Sequence, residues 1–222
     1  AMHELSADAS LRCVVLRGAG DQAFAAGADI AEFATERADS KQASAYGALI
    51  HEAMQAVARC GHPTVALIEG ACIGGGLEIA AMCDMRICGT SSRFGVPVNR
   101  LGLTMAYGEL QGLLELVGRA VALEILLEGR VFDAAEAYAK KLVNRVVPDD
   151  EVESEAYATA ERIAAGAPLV ARWHKQFIDR LSVRAQLAPE EWSEGFACFD
   201  TEDYREGVEA FLAKRKPLFK GR

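Results

Sequence analysis

The sequence predicts an α/β core followed by a region that contains only helices. Residues 11–17 and 64–69 are short apolar segments rich in β-branched residues, which is typical of buried strands. A segment with helical spacing separates them, and a third candidate strand follows at residues 85–88. Strands that alternate with helices favour a parallel sheet. Beyond Pro148 every periodic segment has helical spacing.

The remaining elements follow in chain order. A Gly-rich loop comes after the first strand, and helical spacing predicts helices over residues 41–60 and 71–84. Good helix formers predict three further helices, with Gly118 and Gly129 as stops, at 109–117, 120–127 and 134–140. Residues 143–147 are a candidate last strand. The helical region is expected to contain helices at 151–165, 168–181 and 203–214. We therefore divide the chain into a core, 1–147, and a helical region, 148–222.

Composition excludes several classes of function. The 222 residues are 51% hydrophobic and carry a formal net charge of −8, which argues against a nucleic-acid surface. No apolar run reaches the length of a membrane span, so we expect no membrane partner and a cytoplasmic location. The six cysteines form no CxxC pair and the four histidines have no metal-site spacing. Buried, reduced thiols and no metal site are expected.

Gly18-x-Gly20-x-x-Ala23 follows the first strand and is similar to a dinucleotide-binding fingerprint. That motif needs a helix from its second glycine and an acidic residue at the end of a second strand. Residues 22–29 instead contain Phe24 and Gly27, and the acidic residues downstream lie in polar sequence without a strand. A tight turn from strand to loop is the favoured interpretation.

Three glycines and one acid mark the segment ACIGGGLEIAAMCD, residues 71–84. Gly74, Gly75 and Gly76 let a ligand approach the backbone, and the first amides of a helix have no partner within it. Glu78 follows within one turn, and its helical neighbours cannot pair with it. Amide donors beside a tunable acid suit proton transfer next to a carbonyl. A partly exposed Glu78, or one paired with a distant arginine, stays open.

A second loop has similar features. AFAAGADIAEF, residues 23–33, places small residues around Gly27, and Asp29 with Glu32 three positions later indicates a helix start. The amide of Ala28 would lie at its entrance. Two such loops can direct two amides at one oxygen.

These two segments together resemble the crotonase family, also called the enoyl-CoA hydratase/isomerase family. The resemblance rests on FAAGADI (24–30) and IEGACIGGGLEIAAMCDMRI (68–87), and continues through SSRFGVPVNRLGL (91–103), GRVFDAAEAYAKKLVNRVVP (129–148) and EDYREGVEAFLAKRKPLF (202–219). It covers nearly the whole chain. Residues 1–16 resemble the end of the family's first long helix leading into a strand, without the strands that usually come before.

The resemblance implies a spiral of β-β-α units with a helical C-terminal region that builds trimers or hexamers. It implies an acyl-CoA thioester as substrate, with coenzyme A as part of that substrate and no separate cofactor. The amides of Ala28 and Gly75 would hold the thioester oxygen as an enolate forms, and Glu78 would be the acid or base. The substrate-binding positions implied by the resemblance, with two possible contacts of coenzyme A at the end, are Ala26, Ala28, Asp29, Ile30, Gly75, Val98, Lys216 and Phe219.

The sequence departs from the hydratase pattern at one catalytic position. The second hydratase glutamate should follow the proline of the FGVPVN segment, where this chain has Val98. Three interpretations remain open. Glu78 acts alone or with Glu109 or Tyr107 in hydration or isomerisation; the site runs another enolate reaction such as decarboxylation; or the chain binds acyl-CoA without catalysis. An ordinary role for Glu109 in the first turn of its helix is favoured over catalysis.

Overall fold

Two four-stranded sheets form the centre of the computed structural model, which describes residues 1–183 and 186–222. The strands are β1 (Val14–Arg17), β2 (Ala23–Ala25), β3 (Thr64–Ile68), β4 (Ala71–Ile73), β5 (Met85–Gly89), β6 (Arg93–Gly95), β7 (Phe132–Asp133) and β8 (Arg145–Val147). The first sheet has the order β1-β3-β5-β8 with every pair parallel. The second has the order β2-β4-β6-β7, parallel except for the β6–β7 pair.

The helices connect strand pairs that each pass from the first sheet to the second. They are α1 (Met2–Ala7), α2 (Phe33–Glu36), α3 (Ser40–Ala58), α4 (Gly75–Ala81), α5 (Tyr107–Glu128), α6 (Ala134–Ala139), α7 (Val152–Ala164), α8 (Pro168–Val183), α9 (Pro189–Glu194) and α10 (Glu202–Leu212). The pairs β1–β2 and β3–β4 are each followed by helices that lead back to the first sheet, whereas α5 after β5–β6 leads to β7 of the second sheet, and α6 then leads to β8 of the first. This confirms the predicted spiral of β-β-α units.

The central strand β3 is buried along its whole length, which explains its continuous apolar sequence. Val65 and Leu67 pack with Val152 and Ala156 of α7 in one core cluster. Ala66 and Ile68 point to the opposite face and join the larger cluster. Alternate residues of one strand therefore serve two cores, because side chains alternate between the faces of a sheet.

The predicted helix stops are confirmed. Gly118 interrupts α5 with a φ of +74°, so the segment consists of two helical stretches on either side of it. Gly129 ends the second stretch in the left-handed conformation, with a φ of +56°. Both glycines adopt a backbone conformation that other residues resist.

The prediction of one helix over residues 71–84 was wrong at both ends. Residues 71–73 form β4, and α4 begins only at Gly75 and ends at Ala81. The second sheet as a whole was missed, since its strands have only two or three residues. Such short strands show no period-2 pattern. After β1 the chain turns into β2 without a helix, so the dinucleotide interpretation is excluded.

The helical region packs onto the core at its first element. Helix α7 lies against the first sheet through Val152 and Ala156. The last residues of the chain are held by Asp203, whose carboxylate accepts hydrogen bonds from the amides of Lys220 and Gly221 at 2.6 and 2.8 Å. The division at residue 148 stays a prediction. Among the described residues, no helix is both long and apolar enough to cross a bilayer.

Candidate active site

Three neighbouring parallel strands bring the predicted loops to one edge of the second sheet. Strands β2, β4 and β6 lie side by side and run in the same direction, so the segments that follow them meet at their carboxyl ends. These segments contain Gly27 and Ala28, then Gly74 and Gly75, then Val98. The amide of Gly74 donates to the carbonyl of Gly95 at 2.8 Å and links the second segment to the third strand.

A cavity of about 310 Å³ lies at this edge. Its wall is mostly apolar, with side chains from α3, α4 and the segment after β6. The lining comprises Ala25, Ala26, Gly27, Ala28, Ile30, Phe33, Arg37, Tyr46, Ile50, Ala53, Met54, Ile73, Gly74, Gly75, Gly76, Glu78, Ile79, Pro97, Val98, Leu101, Leu103, Thr104, Met105 and Glu109. An apolar pocket with a few convergent polar groups is the usual form of a small-molecule site.

The glycines at the start of α4 are required by the close packing of this edge. Gly74 has a φ of +53° and ends the strand in a conformation that favours glycine. A Cβ on Gly76 would lie 2.2 Å from the carbonyl oxygen of Ala25, so only glycine lets α4 approach β2 this closely. Gly75 and Ala28 both line the cavity, and each has a backbone amide. Neither donates a hydrogen bond to another group in the part of the chain that the structure describes.

Glu78 is buried beside these amides. Its side chain belongs to the first turn of α4 and only 8% of its surface is exposed. Within residues 1–183 and 186–222 its carboxylate has no hydrogen-bond donor and no ion-pair partner. Burial, with a smaller contribution from the charge of Glu109, raises the pKa of Glu78 to about 7, and the charge of Arg37 acts in the opposite direction. A carboxyl group with this pKa can both take and give a proton near neutral pH.

Glu109 borders the cavity but already has a structural role. Its Oε2 accepts a hydrogen bond from the amide of Ala106 at 2.8 Å, which stabilises the first turn of α5. This is the ordinary role that the sequence favoured. The negative charge of Glu109 nevertheless acts on Glu78.

The family is decided by comparison with known proteins. The model of the family described as enoyl-CoA hydratase/isomerase matches residues 1–222. The chain belongs to the enoyl-CoA hydratase/isomerase family. It is 38% identical to a probable enoyl-CoA hydratase of Mycobacterium tuberculosis, over 97% of this chain and 83% of the relative.

Two further members of the family are similarly close. A short-chain-enoyl-CoA hydratase of Clostridium acetobutylicum is 36% identical over 96% of this chain and 82% of the relative. A crystal structure of an enoyl-CoA hydratase/carnithine racemase from Magnetospirillum magneticum has a TM-score of 0.98 and 52% identity, and the match covers 100% of this chain and 83% of that one. The predicted family and fold are confirmed.

Most substrate-binding positions implied by the enoyl-CoA hydratase/isomerase family border the cavity. Ala26, Ala28, Ile30, Gly75 and Val98 are all in its wall. Val98 is partly buried against the larger core cluster. With Met105 it makes the wall apolar where the hydratase pattern has its second acid.

Three predicted substrate-binding positions do not line the cavity, and Asp29 is the first of them in the chain. Its carboxylate does not line the cavity but accepts a hydrogen bond from the amide of Ala31 at 2.9 Å, because it caps the short 3₁₀ helix Ile30–Glu32. Lys216 is exposed and does not border the cavity, and Phe219 lies in a separate apolar groove of the helical region.

The suggestion that Tyr107 reaches into the site is wrong. Tyr107 is the first residue of α5, and its side chain is 93% exposed. It is not among the residues that line the cavity. The first turn of α5 directs Glu109, rather than Tyr107, toward the cavity wall.

Sequence reasoning missed one charged residue among the described residues that line the cavity, Arg37. This arginine ends α2 in a polar segment, where nothing in the sequence distinguishes it from a solvated side chain. Its neighbours in space, Phe33 and Tyr46, come from two different helices. Only the packing of α2 against α3 reveals the contact.

Proposed function

We propose that this family member catalyses an enolate reaction on short acyl-CoA thioesters, with hydration of a 2-enoyl thioester as its principal activity. The amides of Ala28 and Gly75 hold the thioester oxygen, and Glu78 transfers the proton. The observation that carries this proposal is the buried Glu78 carboxylate, which has no partner and a pKa raised to about 7, beside two amides without acceptors.

One carboxylate is enough for the proposed hydration, because the same group takes a proton from water and returns a proton to the substrate. The Glu78 carboxylate takes a proton from water while the water oxygen bonds to C3 of the substrate. The electrons of the C2–C3 double bond move onto the thioester oxygen, where the two amides stabilise the enolate. Glu78 then returns a proton to C2 and the carbonyl re-forms. Coenzyme A takes part only as the thioester group, so the step needs no separate cofactor.

Double-bond isomerisation is the second candidate, and Val98 favours it. Moving a double bond from C3–C4 to C2–C3 requires removal of a proton from C2 and its return at C4. One carboxylate can do both, and no water has to be activated. An apolar wall at Val98, where the hydratase pattern has its second acid, is compatible with this chemistry, because isomerisation needs no second acid.

A turnover screen tests the proposal and separates the alternatives. Crotonyl-CoA, but-3-enoyl-CoA and methylmalonyl-CoA report hydration, isomerisation and decarboxylation respectively. We expect hydration of crotonyl-CoA that is lost in Glu78→Gln. Conversion of but-3-enoyl-CoA alone would identify an isomerase, and release of CO₂ alone would identify a decarboxylase and contradict the proposal. Micromolar binding without turnover of any thioester would identify a non-catalytic acyl-CoA binder.

We also propose that the chain assembles as a homotrimer or as a hexamer of two trimers. The support is a groove in the helical region lined by apolar side chains, beside which Phe211 and Leu212 are 84% and 76% exposed. Highly exposed apolar side chains that lie close together are typical of a subunit interface. Light scattering coupled to size-exclusion chromatography measures the assembly, and a monomer at micromolar concentration would contradict it. A cytoplasmic location is proposed from the sequence alone.

A further inference from the structure

Arg37 is held in the cavity wall by two aromatic rings. Its guanidinium carbon lies 3.7 Å from the centre of the Tyr46 ring and 4.3 Å from the centre of the Phe33 ring. Contacts of this kind between a cation and an aromatic face fix the plane of the guanidinium group. The edge that carries the N–H donors is left for hydrogen bonds.

The donors of Arg37 are not used by the protein. Its Nε is buried and has no acceptor. Over residues 1–183 and 186–222, its guanidinium makes no hydrogen bond or ion pair with any side chain or carbonyl. A buried donor without an acceptor is unfavourable, and the guanidinium group carries four further N–H donors in the same plane as Nε. This arrangement is therefore expected where a ligand supplies the acceptors.

The charges in the cavity wall indicate what the ligand supplies. Among the described lining residues, Arg37 is the one cation, and it shares the wall with Glu78 and Glu109. The charge of Arg37 acts to lower the pKa of Glu78, although the two side chains form no ion pair. The same wall carries apolar side chains, including Ile50 and Met54 of α3. The wall thus suits an aliphatic chain that ends in one anionic group.

We propose that Arg37 binds a carboxylate at the far end of the acyl chain, so that the preferred substrate is the thioester of a dicarboxylic acid. This inference rests on the proposed function, which places the thioester oxygen at Ala28 and Gly75. A planar carboxylate accepts two parallel hydrogen bonds from a guanidinium group, which matches the orientation that the two rings impose. A neutral acyl chain of equal length leaves Arg37 without acceptors and is bound more weakly.

Equilibrium binding tests the inference without relying on turnover. Calorimetry with glutaryl-CoA and pentanoyl-CoA compares two unreactive thioesters of five acyl carbons, with and without the terminal carboxylate. We expect the wild type to prefer glutaryl-CoA by at least about 10-fold, since hydrogen bonds to charged groups are strong. Arg37→Met should abolish this preference, and Arg37→Lys should restore only part of it, because lysine keeps the charge but not the planar pair of donors.

Arg59→Met is the matched control, since Arg59 is an exposed arginine outside the cavity. It should leave the ratio of the two affinities unchanged. Equal affinities of the wild type for both thioesters would overturn the inference, and so would an equal loss for both in Arg37→Met, because that result assigns Arg37 to coenzyme A itself. If the wild type binds neither thioester, the proposed function fails together with this inference; a loss of selectivity alone overturns only this inference.

Discussion

The carboxylate of Glu78 turns back toward the start of its own helix, where its Oε2 lies 3.8 Å from the point that a Cβ would occupy on Gly75. The acid therefore lies beside the residue that carries the free amide, although three positions separate the two in the chain. A thioester with its oxygen near the Gly75 amide would present its C2 atom close to this carboxylate.

Removing one amide should slow the reaction without unfolding the protein. Gly75 is the first residue of α4, a position that accepts proline because its amide has no partner within the helix. We expect Gly75→Pro to lower kcat by roughly 100- to 1000-fold, the usual cost of one oxyanion donor. Steady-state kinetics with crotonyl-CoA measure the effect.

Gly75→Ala is the matched variant for this prediction. It keeps the amide, and its Cβ would meet no described atom closer than the 3.8 Å contact with Glu78. Its kcat should stay within a few-fold of the wild type. Equal losses in the proline and alanine variants would show that shape, rather than the amide, matters at this position.

Replacing Val98 should change which reaction is favoured. Val98 borders the cavity at the position of the second hydratase acid. A second carboxylate there can activate water while Glu78 protonates C2, so we expect Val98→Glu to raise kcat for crotonyl-CoA hydration by about 10-fold or more. Val98→Gln has nearly the same shape without the acid and should give no increase. A folded Val98→Glu protein with unchanged hydration would mean that Val98 does not limit this reaction.

The rate of hydration should rise with pH through an apparent pKa near 7. Glu78 takes a proton from water in the first step, so its ionised form is the active one, and burial raises its pKa to about 7. The charge of Glu109 contributes to this increase and that of Arg37 opposes it. The pKa in a profile of kcat/KM should therefore fall in Glu109→Gln and rise in Arg37→Met. Shifts in the same direction in both variants would contradict this electrostatic account.

Glu78 should lower the stability of the folded protein at neutral pH and above. Its folded-state pKa of about 7 lies above the ordinary value of 4.5, so the folded state binds the proton more tightly than the unfolded state does. The contribution of Glu78 to stability is therefore fully present below pH 4.5 and is lost as the pH rises from 4.5 to 7. We expect Glu78→Gln to be more stable than the wild type at pH 8 by up to about 3 kcal/mol.

Urea unfolding of both proteins at pH 4 and pH 8 measures this difference in the free energy of unfolding. The advantage of the glutamine variant should be present at pH 8 and absent at pH 4. An advantage of equal size at both values would mean that it comes from packing and not from ionisation of the carboxyl group.

The fold could be predicted where sequence patterns are long enough to be distinctive. The apolar run of β3 and the breaks at Gly118 and Gly129 are local signals, and the structure has them where they were expected. The strands β2, β4, β6 and β7 were missed because two or three residues carry no periodicity. Their order depends on tertiary packing, which no local pattern reports.

The site residues likewise differ in how far the sequence could predict them. The glycines of residues 74–76 and the acid at Glu78 are unusual in their own segment, so the sequence alone identified them. The local sequence does not distinguish Arg37 from an exposed arginine, and only its contacts with the rings of Phe33 and Tyr46 reveal its position. Tyr107 was misplaced because the direction of a side chain at a helix start depends on the entry angle of the chain.

Proton exchange at C2 reports on the proposed enolate itself, whatever product forms later. But-3-enoyl-CoA incubated with the enzyme in D₂O and followed by NMR reports deuterium at C2 of the substrate, or at C4 of the crotonyl-CoA formed from it. We expect incorporation by the wild type and none by Glu78→Gln, with both proteins binding the thioester with similar affinity. Incorporation at the wild-type rate in Glu78→Gln would contradict proton transfer by Glu78. No incorporation in a wild type that binds the thioester would contradict the formation of an enolate.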